Sequence, residues 1–287
     1  MVNHGLLSLS IFCFIAIMLA SISWAQIPNA SLNQIETLVK ARFEKRGGVV
    51  ILLDLKSDKS YFFGGTQWLD QVVEPGSLLK LATAFYFVDH GIDLEKYRYS
   101  CAGHGKWNGK KYYCWKQDGH GSVGLTQALA LSCNLYFISL ADRIKKSQWL
   151  LGLKQQQLTV QSFKQGSYPR LLFIGEGGML GVQVRDFIPW LKWLAGHLAD
   201  PKYREILQGM VESVQYGTGQ EAKVPGLKIF GKTGTVGSTN PLYAHAGFFV
   251  GFTKVDQLGV ALLVMVEDSH GFQLPAKLAG EIFAALR

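Results

Sequence analysis

The sequence predicts a mixed α/β (α+β) protein: one antiparallel five-stranded sheet flanked by helices, with an all-helical subdomain inserted into it. Two observations carry this. Strand-like stretches lie at both ends of the chain, over 47–65 and over 226–268, and helix-like stretches fill the middle. At 287 residues, 48% hydrophobic and 17% charged, the chain can also bury a sizeable core.

"GGVVILLDLKSDKSYFFGG" (47–65) predicts two strands joined by a polar turn at Ser57-Asp58-Lys59. Pro75 and Gly76 read as a turn, and Ser77 as the N-cap or first-turn residue of a helix through "LLKLATAFYF" (78–87). Residues 95–120, rich in Gly, Lys, Tyr and Trp, predict a loop. "SVGLTQALALSCNLYFISLADRI" (122–144) predicts one strong helix, and 145–205 read mostly as helices and loops, including "RDFIPWLKWLAGHLA" (185–199). "GLKIFGKTGTV" (226–236), "YAHAGFFVGFTKV" (243–255) and "LGVALLVMVED" (258–268) predict three strands, and "LPAKLAGEIFAALR" (274–287) a closing helix. These elements group into a sheet part, about 47–90 with 206–287, and a helical part, about 91–205, within a single domain over 26–287.

Residues 5–25 contain no charged side chain and end in Ser23-Trp24-Ala25, a small-x-small pattern. The stretch predicts an export signal over 1–25, cleaved before Gln26. Positive charge at its start is confined to the α-amino group and His4. Left uncleaved, the segment would tether the chain to a membrane. The expected location is the periplasm or cell envelope. The net charge of +8 is scattered, with no basic cluster interleaved with aromatics, so no nucleic-acid partner is expected.

Cys13 lies in the signal. Cys101 and Cys114 flank a Gly-rich aromatic loop and are disulfide candidates in an oxidising compartment. Cys133, in an apolar helical stretch, reads as a free buried thiol. The Cys and His spacings match no common zinc pattern, so no metal site is expected.

The chemistry begins with one lysine. Leu78, Leu79, Leu81, Ala82, Ala84, Phe85 and Phe87 leave the helix after Ser77 almost no polar face, so it is buried and takes Lys80 with it. An ammonium out of water is costly, and its pKa falls. Residues three apart share a helix face, so Lys80 can reach the Ser77 hydroxyl and take its proton. Repulsion from Lys232 is expected to push the pKa of Lys80 down further.

Three short motifs stand in order: Ser77-Leu-Leu-Lys80, Ser132-Cys-Asn134 and Lys232-Thr-Gly234 followed by Thr235. Ser77 is the only serine with a lysine three residues on. Ser238-Thr-Asn240 also fits the second pattern, but it follows the third motif and reads as a turn. The ordered set resembles penicillin-binding proteins and serine β-lactamases. Gly119-His120-Gly121, "GEG" (175–177) and "MVESVQYGTG" (210–219) make the chain similar to the transpeptidase domain of class B penicillin-binding proteins, from about 47 to the end.

That resemblance implies an acyl-enzyme on Ser77, with Lys80 as general base. It implies Ser132 as a proton shuttle to the leaving amine and Asn134 as a donor to the substrate amide carbonyl. Lys232-Thr233-Gly234-Thr235 is expected on an edge strand facing Ser77, where a peptide adds as a further strand. Gly234 is expected to leave room for it. The Thr235 and Ser77 N–H groups would form the oxyanion hole, and Lys232 with the Thr233 or Thr235 hydroxyl would hold a terminal carboxylate. Cys133 would point away from the cleft. Implied ligands are peptidoglycan stem peptides and β-lactams, with no cofactor and no named protein partner.

The resemblance leaves transpeptidase and D,D-carboxypeptidase open. A β-lactamase, or a non-catalytic β-lactam sensor on the same fold, is the alternative. His120 reads equally as a cleft residue or a structural one. Glu176 stands where the class B family usually has a neutral polar residue, and a loop-ordering role is expected for it. Trp107, Tyr112, Tyr113 and Trp115 are cleft-mouth or packing residues. Only about 20 residues separate the predicted cleavage site from the first strand, so a bare catalytic domain without an N-terminal pedestal is expected.

Overall fold

The computed structural model describes residues 26–236, 245–255 and 258–287. The predicted export signal and the Ser238–Asn240 turn lie outside the described residues.

Helix α1 (Asn29–Phe43) leads into the hairpin β1 (Gly48–Asp54) and β2 (Lys59–Gly64). The two-residue β3 (Val72–Val73) precedes helix α2 (Leu79–Asp89). Four short strands follow: β4 (Tyr99–Cys101), β5 (His104–Trp107), β6 (Lys110–Tyr113) and β7 (Gly121–Val123). Next come α3 (Leu125–Ala130), α4 (Asn134–Ser139), α5 (Lys146–Gln155), β8 (Ser162–Phe163) and β9 (Leu180–Gln183). Helices α6 (Phe187–Gly196) and α7 (Arg204–Gln215) lead to β10 (Phe230–Val236), β11 (Ala246–Val255), β12 (Leu258–Glu267) and the closing helix α8 (Leu274–Ala285).

The main sheet has the order β10-β11-β12-β1-β2, antiparallel throughout, so the two ends of the chain meet at the β1–β12 pair. Its central strands are covered on both faces. Val50, Leu52, Leu262 and Val264 pack with Ile35, Val39, Ile282 and Phe283 of α1 and α8. Val49, Ile51, Leu263 and Met265 face the larger core around α2. Strands buried on both sides read as unbroken apolar runs, and "GVVILLD" and "LGVALLVMVE" are such runs. Every residue of α2 from Leu79 to Phe87 is buried. Among them is Lys80, with no exposed surface.

Three local expectations fail. The stretch 122–144 is not one helix: α3 ends at Ala130 and α4 starts at Asn134, because Ser132 takes the left-handed conformation (φ 51°) and breaks the ladder. The 95–120 loop contains two small ribbons, β4 paired with β7 and β5 paired with β6. Helix α1 was not foreseen. It is polar along most of its length, and only Ile35 and Val39, four apart, are buried.

Candidate active site

The turn that carries Ser77 is set by a glycine. Pro75 leads into a single 3-10 turn, Gly76–Leu78, that opens α2. Gly76 has φ 55°, and a Cβ there would lie 2.5 Å from Thr235 O, so the turn rests directly on the backbone of β10. Ser77 and Lys80 share one side of this helix start, with Lys80 Nζ 2.9 Å from Ser77 Oγ. Lys80 Nζ also lies 2.9 Å from Ser132 O, 3.2 Å from Ser132 Oγ and 2.5 Å from Asn134 Oδ1. An ammonium has only three protons for these four oxygens. A neutral amine could instead accept the Ser77 proton through its lone pair.

Ser132 sits in the break between α3 and α4 rather than on a helical turn with Asn134. Cys133 N donates to Ala128 O (2.8 Å), Thr218 N to Ala130 O (3.1 Å) and the Trp115 indole to Leu131 O (3.0 Å), which hold the break open toward the cleft. Lys232, fully buried on β10, donates to Ser132 Oγ (2.9 Å) and to Thr233 O (2.8 Å). The Ser132 hydroxyl thus bridges both lysines. Burial lowers the pKa of Lys80, and Glu176 with Cys114 and Cys133 pulls it back up. Burial lowers Lys232 further, with the charge of Lys80 adding to the effect. The repulsion between the two lysines is mutual and acts in the expected downward sense.

Strand β10 is a sheet edge, as expected for the third motif. Thr233 and Thr235 face a cavity of about 660 Å³ that Ser77, Ser132, Asn134 and Glu176 also line. Their hydroxyls are engaged: Thr233 Oγ1 lies 2.6 Å from Thr218 Oγ1, and Thr235 Oγ1 accepts from Gly271 N at 3.1 Å. Gly234 does not line the cavity. A Cβ there would lie 2.9 Å from Leu78 Cγ, so the missing side chain lets β10 close onto the turn that carries Ser77. Alternation along the strand puts Gly234 on the side of Leu78 and the threonines on the side of the cleft.

Two carboxylates border the same cavity. Glu176 Oε1 accepts from Asn134 Nδ2 at 3.1 Å. Glu74, unmarked in the sequence reading, accepts from Gly178 N at 2.5 Å. Burial raises the pKa of both, Glu74 to about 7. Thr218, His270 and Phe272 also line the cavity unforeseen. Of these only Thr218 had a signal, in the "GTG" at 217–219. Tyr113 and Trp115 stand at the mouth, whereas Trp107 and Tyr112 pack against each other beneath it.

Cys101 and Cys114, the candidate disulfide pair, are not bonded to each other here. Cys101, Cys114 and Cys133 are all free thiols. The first two are drawn to one ring: His120 Nδ1 lies 3.7 Å from Cys101 Sγ and 3.5 Å from Cys114 Sγ, and Cys114 Sγ is 4.0 Å from Cys133 Sγ. The four donor atoms lie within 4.8 Å of one another. Three thiols and an imidazole form a donor set that suits a tetrahedral cation such as zinc, where sequence spacing gave no such signal. The contacts from Cys133 and His120 pull the Cys114 thiol down, while the same Cys114 contact and burial push the Cys133 thiol up; a bound cation would favour the thiolate of both. Cys133 turns toward this cluster and away from the cleft, while its neighbours Ser132 and Asn134 face Lys80.

The family model for the penicillin binding protein transpeptidase domain matches residues 44–168 and 196–286. Stage V sporulation protein D of Bacillus subtilis is 24% identical over 251 residues, covering 69% of this chain and 38% of that protein. Peptidoglycan D,D-transpeptidase MrdA of Acinetobacter baumannii is 24% identical over 282 residues, covering 74% of this chain and 42% of that protein. The chain therefore spans well under half the length of these two relatives. Among solved structures, Pseudomonas aeruginosa PBP2 superposes with a TM-score of 0.74 at 18% identity, over 88% of this chain and 76% of that one. The transpeptidase domain of Burkholderia pseudomallei penicillin-binding protein 3 gives 0.69 at 17% identity, over 88% of this chain and 93% of that one. With the family match extending over most of its length, the chain belongs to the penicillin binding protein transpeptidase domain family.

Proposed function

We propose that this domain is an exported serine D,D-acyltransferase that acts on peptidoglycan stem peptides ending in D-Ala-D-Ala and is acylated by β-lactams. The observation that carries this is the 2.9 Å approach of a fully buried lysine to Ser77 Oγ. Neutral Lys80 takes the Ser77 proton as Oγ attacks the carbonyl carbon of the penultimate D-alanine. The N–H groups of Ser77 and Thr235, brought together where Gly76 touches β10, are the expected cradle for the oxyanion. The C–N bond then breaks. The leaving amine takes its proton through Ser132 Oγ, which both lysines touch.

Asn134 has one amide proton engaged by Glu176 and one left for a substrate carbonyl. Thr233 and Thr235, with the Lys232 amine behind them, are the expected seat of the substrate carboxylate. Gly234 supports this by packing. The acyl group passes from Ser77 to an amine of a second stem peptide, which is the transpeptidase outcome. The sheet part (47–90 with 206–287) and the helical part (91–205) form the two walls of the cleft, within a single domain over 26–287. Residues 1–25 would direct the chain to the periplasm or cell envelope. Among the described residues no helix is long and apolar enough to cross a membrane.

The test is intact-protein mass spectrometry after incubation with a penicillin. One adduct per chain is expected, mapped to Ser77 and lost in Ser77→Ala. A folded protein that gains no mass would overturn the proposal.

A further inference from the structure

Glu176 moves no proton in the acylation just described, and the loop-ordering role expected for it is filled by another residue. Gly175, Gly177 and Gly178 all have positive φ (75°, 86° and 62°), which makes the tight turn around Glu176. Glu74 closes that turn by accepting from Gly178 N at 2.5 Å. Glu176 faces the other way, into the cavity that Ser77 lines. Among the described residues its carboxylate accepts from Asn134 Nδ2 alone, at 3.1 Å. Asn134 Oδ1 in turn lies 2.5 Å from Lys80 Nζ. A carboxylate therefore stands two hydrogen bonds from the base that serves the nucleophile, on the wall of the space a substrate or a water would share with Ser77.

The electrostatics suit a base. Burial pushes the pKa of Glu176 up, which strengthens it as a proton acceptor, while the positive end of Lys80 and the Asn134 hydrogen bond hold it toward ionisation. Burial raises Glu74 to about 7, and the charge of Glu176 adds to that rise.

We propose that Glu176 is a general base for hydrolysis of the Ser77 acyl-enzyme, giving the domain a water-dependent turnover of D-Ala-D-Ala peptides and β-lactams beside acyl transfer. This rests on the Ser77 acyl-enzyme reading. A water in the cavity gives one proton to a Glu176 carboxylate oxygen, and its oxygen bonds to the acyl carbon. The tetrahedral adduct then expels Ser77 Oγ, which takes up the proton that Glu176 accepted from the water. The released acid carries one oxygen from water, no redox partner is needed, and Glu176 and Lys80 end in the states in which they began.

The experiment follows the penicillin adduct of the full chain by mass spectrometry and compares Glu176→Gln, Glu176→Asp and Glu74→Gln. General-base catalysis contributes roughly 10²–10⁴-fold, so Glu176→Gln is expected still to form the Ser77 adduct and to hold it about a hundred times longer than the parent. Glu176→Asp, which keeps the carboxylate, is expected to recover part of the turnover. Release from the parent in water labelled with heavy oxygen should place one label in the product acid, a readout that needs no variant to fold. An adduct that Glu176→Gln sheds as fast as the parent, equal lengthening in Glu74→Gln, or release without label overturns this proposal alone. No adduct on the parent overturns the Ser77 reading, and this inference with it.

Discussion

Lys80 Nζ stands 2.9 Å from Ser77 Oγ in a site where the lysine has no exposed surface. Desolvation lowers the pKa of this amine and so favours its proton-free form. The rate of acylation by a penicillin should therefore rise with pH as Lys80 loses its proton, with a midpoint below the ordinary 10.5. Single-turnover labelling across pH measures it, and a midpoint at the ordinary lysine value would contradict it. Lys80→Arg, which keeps a proton at every pH, should slow acylation by roughly 10²-fold or more.

Gly175 controls how closely the 175–178 turn approaches the nucleophile. Its φ is 75°, and a Cβ would fall 2.0 Å from Gly76 O. Backbone strain of this kind costs about 1–3 kcal/mol, and the clash adds to it. Gly175→Ala should lower the thermal midpoint by several degrees and slow acylation by displacing Ser77. Thermal unfolding and penicillin labelling check the two effects, and an unchanged midpoint would count against the close approach.

The cluster of Cys101, Cys114, His120 and Cys133 should bind about one zinc per chain, because a structural site of this donor type needs all four ligands. Elemental analysis of the purified protein measures the stoichiometry. Chelation, or Cys133→Ser, should lower the thermal midpoint and also slow acylation, since Cys133 lies between Ser132 and Asn134. A metal-free protein that keeps full stability would refute it.

Glu74 should leave a mark on stability against pH. Its folded pKa of about 7 lies above the ordinary 4.5, so the native state holds this proton more tightly than the unfolded chain. The resulting stabilisation is complete below about 4.5 and is lost as pH rises through about 7. Glu176, also raised, acts in the same sense. The buried lysines act oppositely, because their lowered pKa values make stability rise as pH climbs toward 10.5. Glu74→Gln should flatten the acid-to-neutral slope, read as thermal midpoint against pH in the parent and the variant.

What was legible in the sequence had local causes. The burial of Lys80 follows from the apolar residues around it on one helix, and the two-sided burial of β1 and β12 from their unbroken apolar runs. What was missed depends on contacts between distant segments. The break at Ser132 is held by Trp115 and Thr218, neither of which its own helix signals name. The thiol cluster exists because two small ribbons fold the 99–123 stretch back onto Cys133, and no ligand spacing encodes that fold-back. Glu74 and Glu176 divide their tasks according to which side of a three-glycine turn each one faces, which is a property of the packed loop.

The groups around Ser77 come from four remote places: the start of α2, the break after α3, the turn at Glu176 and the edge strand β10. Unfolded, Lys80 would regain an ordinary hydrated ammonium and the serine would lose its activation. A β-lactam tag would therefore count native molecules. Pulsed during refolding, it would time the docking of the C-terminal strands and stay blind to helices that form first.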